Sequence, residues 1–458
     1  MTSNSATDQR LMPGQRVSDW GRMKYANVAN IARPQTEDDL RAILAHAKEH
    51  DLKISVRGIG HNTVGQSIVD NGIMIDMMAM NQIIELNEQA KTLRVQAGAT
   101  WAQLTPLLEQ KRLSLSTKQE FNIFSVGGSL AANIHGKSID YAALITHVKS
   151  FRILTADGEI IEASREHNYA LFRAAIGGWG LLGIVVDVTF QLIDDRIVEK
   201  SEVVYMKREP LLDAYRERIQ RDPAATPLCY GFLDTSFDNG YYLTYRYLES
   251  GETYSLDELK RDETHPLVVD ILVWLQRRCA FVRRKAFNLT WATSGNPDKT
   301  LLSRRLLLWD KPPKAFNDLL LQKYYLPLDR FQGFLGKAQA IFQRYEKDIK
   351  LMMLHFRFQP ANNEAMLASL QQEAMCFFPV YLAEKDDANW VAVYEKVSHE
   401  LVEEVLAHGG SFYLTFVPAT LDQVRRAFPH WNDFVETKRR YDPEERFTSL
   451  FYENLRAG

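Results

Sequence analysis

The sequence is poor in what metal and disulfide chemistry need. Its three cysteines, Cys229, Cys279 and Cys376, are an odd number spread far apart, with no CxxC pair and no Cys/His cluster. That excludes a disulfide framework and supplies no ligand set for zinc, so no metal site is expected. No apolar run approaches the ~18 residues of a membrane-spanning helix. The opening MTSNSATDQRLMPGQ is polar and lacks the apolar core of a secretory signal, so a cytoplasmic location is the expectation. Neither charge dominates: 55 basic against 58 acidic residues give a formal charge of -3, which argues against a nucleic-acid partner. Repeats and low-complexity tracts are absent.

What remains is the composition of an ordinary globular protein, 46% apolar, 25% charged and 11% aromatic. A chain of 458 residues exceeds what one core normally serves, so two or three domains are expected. The informative stretch is ISVRGIGHNTVGQS (54–67). A β-branched run enters a loop containing Arg57, Gly58, Gly60 and Gly65, with His61 at its centre. Glycine admits positive φ and close backbone approach, so the N–H groups of such a loop can face phosphate oxygens.

Around this loop the chain reads as α/β with many short strands. Residues 1–20 read as a loose arm. In ARPQTEDDLRAILAHAKEHD (32–51), Thr36 can cap a helix with Glu37, Asp38 and Asp39 in its first turn. Leu40, Ile43, Leu44 and Ala47 form its apolar face. Strands are expected at 53–57, 72–76 and twice within 85–100, then a helix over 101–113. A second glycine-bearing loop follows at FNIFSVGGSLAANIHGKS (121–138). KSFRILTADGEIIEAS (149–164) reads as a hairpin with a two-residue turn at Asp157–Gly158. A third glycine-rich loop lies in HNYALFRAAIGGWGLLGIVVDVTFQLI (167–193), between a helix and a long strand. Beyond about residue 200 glycine thins and aromatics increase. The expected division is an arm at 1–27, a glycine-loop domain at 28–200, a substrate domain at 201–425 and a compact closing segment at 426–458.

Two familiar phosphate motifs compete for these loops. GIGHNT begins like GxGxxG but lacks the third glycine, and a strand rather than a helix follows; a Rossmann site needs the helix N-terminus. AANIHGKS (131–138) fits a relaxed phosphate-loop pattern, with GIVVD (183–187) as a companion strand, so Lys137 and Ser138 could serve a nucleoside triphosphate with magnesium. That pattern is permissive and leaves the other two loops unexplained.

Taken in order, RGIGHNTVGQS (57–67), SVGGSLAANIHGKS (125–138), LTADGEIIEAS with LFRAAIGGWGLLGIVVDVTF (154–164, 171–190) and YDPEERFTSLF (441–451) resemble the loops and closing motif of the FAD-linked oxidases of the VAO/PCMH superfamily. Within it they are similar to aldonolactone oxidases, cytokinin dehydrogenases and decaprenylphosphoryl-ribose oxidases. The resemblance implies an α+β fold: a PCMH-type FAD-binding domain of two α/β subdomains, plus a substrate domain with an antiparallel sheet flanked by helices. It implies FAD contacts at Arg57, Gly58, Ile59, Gly60, His61, Asn62, Gln66, Ser67, Val126, Gly127, Gly128, Ser129, Asn133, His135, Gly178, Gly180, Gly183, Ile184 and Val185. Backbone N–H groups of 58–62 and 127–129 would hold the pyrophosphate. Covalent members carry a histidine at the position of His61, bonded to the flavin 8α carbon, so a tether there is expected. Asn62 departs from the serine that commonly follows. The second loop has no cysteine for a second bond.

On the substrate side, LMMLHFRFQP (351–360) alternates His355, Arg357 and Gln359 with Leu354, Phe356 and Phe358. It resembles the strand that carries Glu and Arg in sugar and alditol oxidases, with His355 in place of Glu. KYYLP (323–327) and FYLTF (412–416) offer Tyr324, Tyr325 and Tyr413. Phe416 stands where the polyprenyl-phosphoribose enzymes have a lysine. The candidate catalytic residues are His355, Arg357, His135 and Tyr413. The bland readings are an amphipathic strand with its polar face in solvent and a histidine bonded to a carbonyl.

The resulting expectation is an FAD-dependent oxidase or dehydrogenase acting on an alcohol carbon of a sugar, polyol or related small molecule, with oxygen or a quinone as acceptor. The alternatives are C–N oxidation of the cytokinin type, a nucleotide-binding protein using 131–138, and a flavin scaffold without turnover. The segment 266–291, apolar with Arg277, Arg278, Arg283, Arg284 and Lys285, offers peripheral membrane contact or a partly buried helix. A monomer and a homo-oligomer are both compatible with the sequence.

Overall fold

The computed structural model describes residues 11–119, 121–221, 226–249, 266–283, 285–287, 301–303 and 314–457. The fold is mixed α/β, built from helices and several mainly antiparallel sheets. Near the N-terminus a four-stranded sheet takes Leu11–Pro13, Asn30–Ala32, Ile73–Asp76 and Ile54–Arg57 in that spatial order. Its last three strands are parallel. The helix Glu37–Glu49 begins with a capping box between Thr36 and Asp39 and buries Leu40, Ile43, Leu44 and Ala47, the face read from the sequence. No helix joins Ile54–Arg57 to Ile73–Asp76; the connection is the loop bearing His61. This agrees with the exclusion of a Rossmann site.

A five-stranded antiparallel sheet follows, ordered Ile160–Ser164, Val148–Leu154, Ile184–Gln191, Thr92–Gln96 and Ile83–Asn87. Two expectations are corrected in this half of the molecule. The 149–164 hairpin closes at Leu154 opposite Ile160, so its loop spans 155–159 rather than two residues. The Thr155 hydroxyl accommodates the longer loop by bonding to Asp157, and its N–H donates to the Glu159 carbonyl at 2.9 Å. Residues 11–27 are not a loose arm either. Leu11–Pro13 pairs with Asn30–Ala32, and Arg16–Ser18 pairs with Tyr25–Asn27.

The rest is organised on a nine-stranded antiparallel sheet whose centre is Leu351–Gln359 beside Ala374–Leu382. One face carries Leu354, Phe356, Phe377 and Tyr381 into a core shared with helices Phe331–Arg344 and Ala388–Ala407. The register sets His355 opposite Phe378 and Arg357 opposite Cys376. That second face is buried too, so the reading of a solvent-facing polar strand is overturned. It is covered by the chain around 131–138. The Tyr413 hydroxyl donates to the Ala132 carbonyl at 2.9 Å, and Gln359 Nε2 donates to the Gly136 carbonyl at 3.2 Å.

The closing segment packs against the first sheet. Phe447 bridges Ile54 in parallel, with Ile54 N–H donating to Arg446 O and Thr448 N–H to Ile54 O, each at 2.8 Å. Lys438, fully buried, donates to the carbonyls of Leu181 and Phe447 and to Asp442, clamping this segment to the third glycine-rich loop.

Candidate active site

Three separated loops line one cleft of about 1010 Å³, counted to its open mouth. The first contributes Arg57, Gly58, Ile59, Gly60, His61, Asn62, Gln66 and Ser67. The second contributes Gly127, Gly128 and Ser129, and the third Gly180, Gly183 and Val185. Fourteen of the nineteen residues expected at the cofactor therefore converge. Val126 and Ile184 instead point into core, and Gly178 packs against Phe434. Asn133 and His135 line a smaller neighbouring cavity that shares Ala132 and Trp179 with the cleft.

The loops meet closely because glycine permits it. A Cβ on Gly58 would lie 2.0 Å from Ser125 Oγ, so a side chain there would push the first and second loops apart. Gly60 has φ +73°, a conformation that other residues rarely adopt, and it turns the chain into His61. Carbonyls of Gly60 and Asn62 accept from the N–H groups of Trp20 and Gly21, at 2.8 and 3.0 Å. No backbone acceptor is found among the described residues for the N–H groups of Ile59 to Asn62. The second loop differs from expectation. Its residues Val126–Ala131 form a short helix capped by Ser125, and Gly127 N–H is bonded to Ala97 O at 2.7 Å. Gly128 and Ser129 N–H groups are spent on Ser125. What 127–129 offer the cleft is close approach rather than free donors.

His61 stands at the edge of the cleft in an aromatic frame. It stacks on Trp20 with ring centroids 4.2 Å apart and meets Phe124 edge-on at 4.7 Å. Burial, then the nearby Lys385 and Lys323 cations, lowers its pKa to about 3, so the imidazole is neutral and nucleophilic at neutral pH. Behind it, Asp19 accepts from Asn62 Nδ2 and from Gly65 N–H. Asn62 also bonds Gln66, and Ser67 donates to Asn62 Oδ1. Asn62, the departure from the family pattern, thus fixes the loop from inside.

The candidate catalytic residues separate into two groups. His135, Arg357 and Tyr413 come together, while His355 sits one strand step away among Tyr230, Phe232 and Phe378. Arg357 is 2% exposed, and among the described residues its Nε and Nη1 have no hydrogen-bond partner. Its Nη2 lies 3.4 Å from His135 Nδ1. A guanidinium only donates, so Nδ1 accepts and the ring hydrogen rests on Nε2, which bonds to the Tyr325 hydroxyl. Burial, with the Lys323 and Arg357 cations, holds His135 well below its ordinary pKa and keeps it neutral.

Sequence reasoning missed Trp20, Lys385 and Lys323. Lys323 lies over the rings of Phe378, Tyr413 and Phe416, 5.2 to 5.7 Å from their centroids. A lysine therefore does reach the neighbourhood of Phe416, from the residue just before the strand Tyr324–Leu326. KYYLP contains it, but its tyrosines were the more conspicuous residues. The reading of 131–138 as a phosphate loop fails on geometry. A helix must begin at the Lys–Ser pair, whereas here the helix ends at Ala131 and Ser138 bridges Leu228.

Comparison with known proteins agrees with this site. Residues 28–164 match the family model described as an FAD binding domain. L-Gulonolactone oxidase of Mus musculus is 20% identical over 448 residues, covering 96% of this chain and 98% of its own. L-Gulonolactone oxidase of Bos taurus is 30% identical over 180 residues, 39% of this chain and 41% of that one. L-Gulono-1,4-lactone dehydrogenase of Mycobacterium tuberculosis is 28% identical over 176 residues, 38% and 40% of the two chains. The bovine and mycobacterial alignments thus span about two-fifths of those enzymes. Three glycine loops converge on one cleft, the first two of them inside the matched FAD binding domain, and in this the chain resembles the VAO/PCMH superfamily of FAD-linked oxidoreductases.

Proposed function

We propose that this chain oxidises an alcohol carbon of a sugar, polyol or sugar-derived lactone, with FAD seated in the three-loop cleft and tethered through His61. The observation that carries the reading is the placement of a neutral, framed His61 and the buried Arg357–His135–Tyr413 group beside one cleft. The cleft residues fit FAD: unbonded N–H groups of Ile59 to Asn62 suit a pyrophosphate, and Gly127, Gly180 and Gly183 allow a flat dinucleotide close to the backbone. The bound flavin supplies a hydride acceptor.

The chain's own residues have separable tasks. Arg357 directs donors at the substrate oxygen, where negative charge develops as the hydride leaves. His135 holds Arg357, and Tyr413 holds the second loop through Ala132. Both nitrogens of His135 are committed, so the hydroxyl proton goes to His355, the other imidazole on this face. The charged groups on the face are cations, Arg357 and Lys323, which disfavours an amine substrate and favours an alcohol over the C–N alternative. Oxygen or a quinone would serve as the electron acceptor. Similar proteins are lactone oxidases and lactone dehydrogenases, which supports the same substrate class.

Anaerobic reduction of the purified holoprotein tests this. Bleaching of the flavin band by aldonolactones or alditols, and not by allylic amines, is expected. Bleaching by amines alone, or by dithionite but by no alcohol tried, would overturn the substrate assignment.

A further inference from the structure

The helix Pro266–Arg278 is anchored on one side and bare on the other. On the anchored side Val273 is buried, Asp270 accepts from Ala315 N–H at 2.7 Å, and Arg277 donates to the carbonyls of Ala383 and Asp318 at 2.9 and 3.1 Å. On the other side Leu267, Ile271 and Trp274 are 60, 50 and 52% exposed, and Phe281 is 67% exposed. Helical hydrogen bonding runs on through Cys279, since Cys279 N–H donates to Leu275 O and Arg283 N–H to Cys279 O. At 100° per residue, Leu267, Ile271, Trp274, Arg278 and Phe281 then fall within one arc of about 80°. Four large apolar side chains on one arc are an expense that a water-facing helix has no reason to bear.

The charge around the arc identifies the occupant. The sequence 266–287 holds five basic residues and one acidic, in a chain whose overall charge is -3. The acidic residue, Asp270, is turned to the protein. Arg278 lies 4.4 Å over the exposed Trp274 ring, and Lys285 is exposed beyond it; Arg284 and the stretch 288–291 lie outside the described residues. Tryptophan with flanking arginine and lysine is the composition that seats a helix at the headgroup level. No helix among the described residues is long and apolar enough to cross a membrane. We infer that this face docks the protein on the surface of a bilayer containing anionic lipid, as a peripheral contact.

The docking face is one layer from the cleft. The segment that anchors the helix includes Phe316, which packs on Phe121 at 5.8 Å, and Phe121 lies 6.1 Å from His61. A membrane on this face would border the His61 wall. The inference stands independently of the substrate assigned to the cleft.

Sedimentation of the full holoprotein with vesicles tests it. Binding is expected with phosphatidylcholine vesicles containing phosphatidylglycerol, weakening at high salt. The exposed-face variant Ile271→Ser/Trp274→Ser should bind about tenfold less while keeping the same melting temperature. Arg278→Glu/Lys285→Glu should lose the preference for anionic vesicles. Failure of the wild type to sediment with anionic vesicles would overturn the proposal. So would gel filtration showing a dimer that the Ile271→Ser/Trp274→Ser variant converts to monomer, because the face would then belong to a second copy.

Discussion

The indole of Trp20 lies parallel to the imidazole of His61, 15° between planes, and the Lys385 ammonium sits 3.8 Å from the same indole while donating to the Trp20 carbonyl at 3.0 Å. An imidazole held by stacking presents a fixed edge to the cleft. Trp20→Ala should bind FAD but attach it about 10- to 100-fold more slowly, since attack requires orientation. Trp20→Phe should restore most of the rate. The check is the time course of flavin fluorescence in the protein band of a denaturing gel. Unchanged attachment in Trp20→Ala would remove this role.

Arg357 is the second buried polar group with a cost. A guanidinium that is 2% exposed, with two nitrogens unbonded among the described residues, is unfavourable in the apo-protein. Arg357→Met should therefore raise the thermal midpoint of the apo-protein while lowering kcat about 100-fold, the size of a lost preorganised donor. A variant that is less stable yet fully active would show the guanidinium to be structural.

The pH dependence of apo-protein stability has a defined sign. His61 and His135 are neutral in the folded state, with His61 lowered to about 3 by burial and by Lys385 and Lys323. An unfolded histidine titrates near ~6.5. The contribution of His61 is complete above that value and is lost as pH falls from it toward 3, and that of His135 is lost in the same direction, because the unfolded state takes up protons first. Each contributes at most about 1.4 kcal/mol per pH unit across that window. Asp19 opposes them: burial raises its pKa to about 7, so its contribution is present below the ordinary carboxylate range and is lost as pH rises through 7. Urea melts at several pH values should show a shallower acid decline in His61→Gln, by about one proton. An identical slope would place His61 in water.

Much of the flavin half was legible because glycine, cap and β-branched patterns are local signals. Thr36 with Asp39, the apolar face of Glu37–Glu49 and the three glycine loops all follow from neighbours in sequence. What escaped was made by long-range contacts. Trp20 acquires its role only because residues 11–27 fold back to pair within the domain, and Lys323 only because the strand it precedes lies beside Phe412. Asn133, His135 and Gly178 were assigned to the cofactor from their loops, but the turn after Ala131 carries the first two to the neighbouring cavity. The buried polar face of Leu351–Gln359 was ambiguous because alternation alone does not say which face meets protein.

Lys438 offers a stability test remote from the chemistry. It and Asp442 are fully buried, and Lys438 donates to the Leu181 and Phe447 carbonyls as well. Lys438→Met leaves Asp442 buried without its cation, a loss of about 3–5 kcal/mol. Chemical denaturation should report it, with parallel weakening of FAD affinity because Leu181 belongs to the third loop. A loss under 1 kcal/mol would show that the closing segment holds without this clamp.

The central claim is that His61 holds FAD in the three-loop cleft. The most direct measurement is the absorbance spectrum of the purified protein before and after acid precipitation. Flavin bands that stay with the washed pellet, and move to the supernatant in His61→Ala, are the predicted result. Flavin released from the wild type by acid would contradict the tether, and a protein that takes up no flavin when refolded with FAD would contradict the site itself.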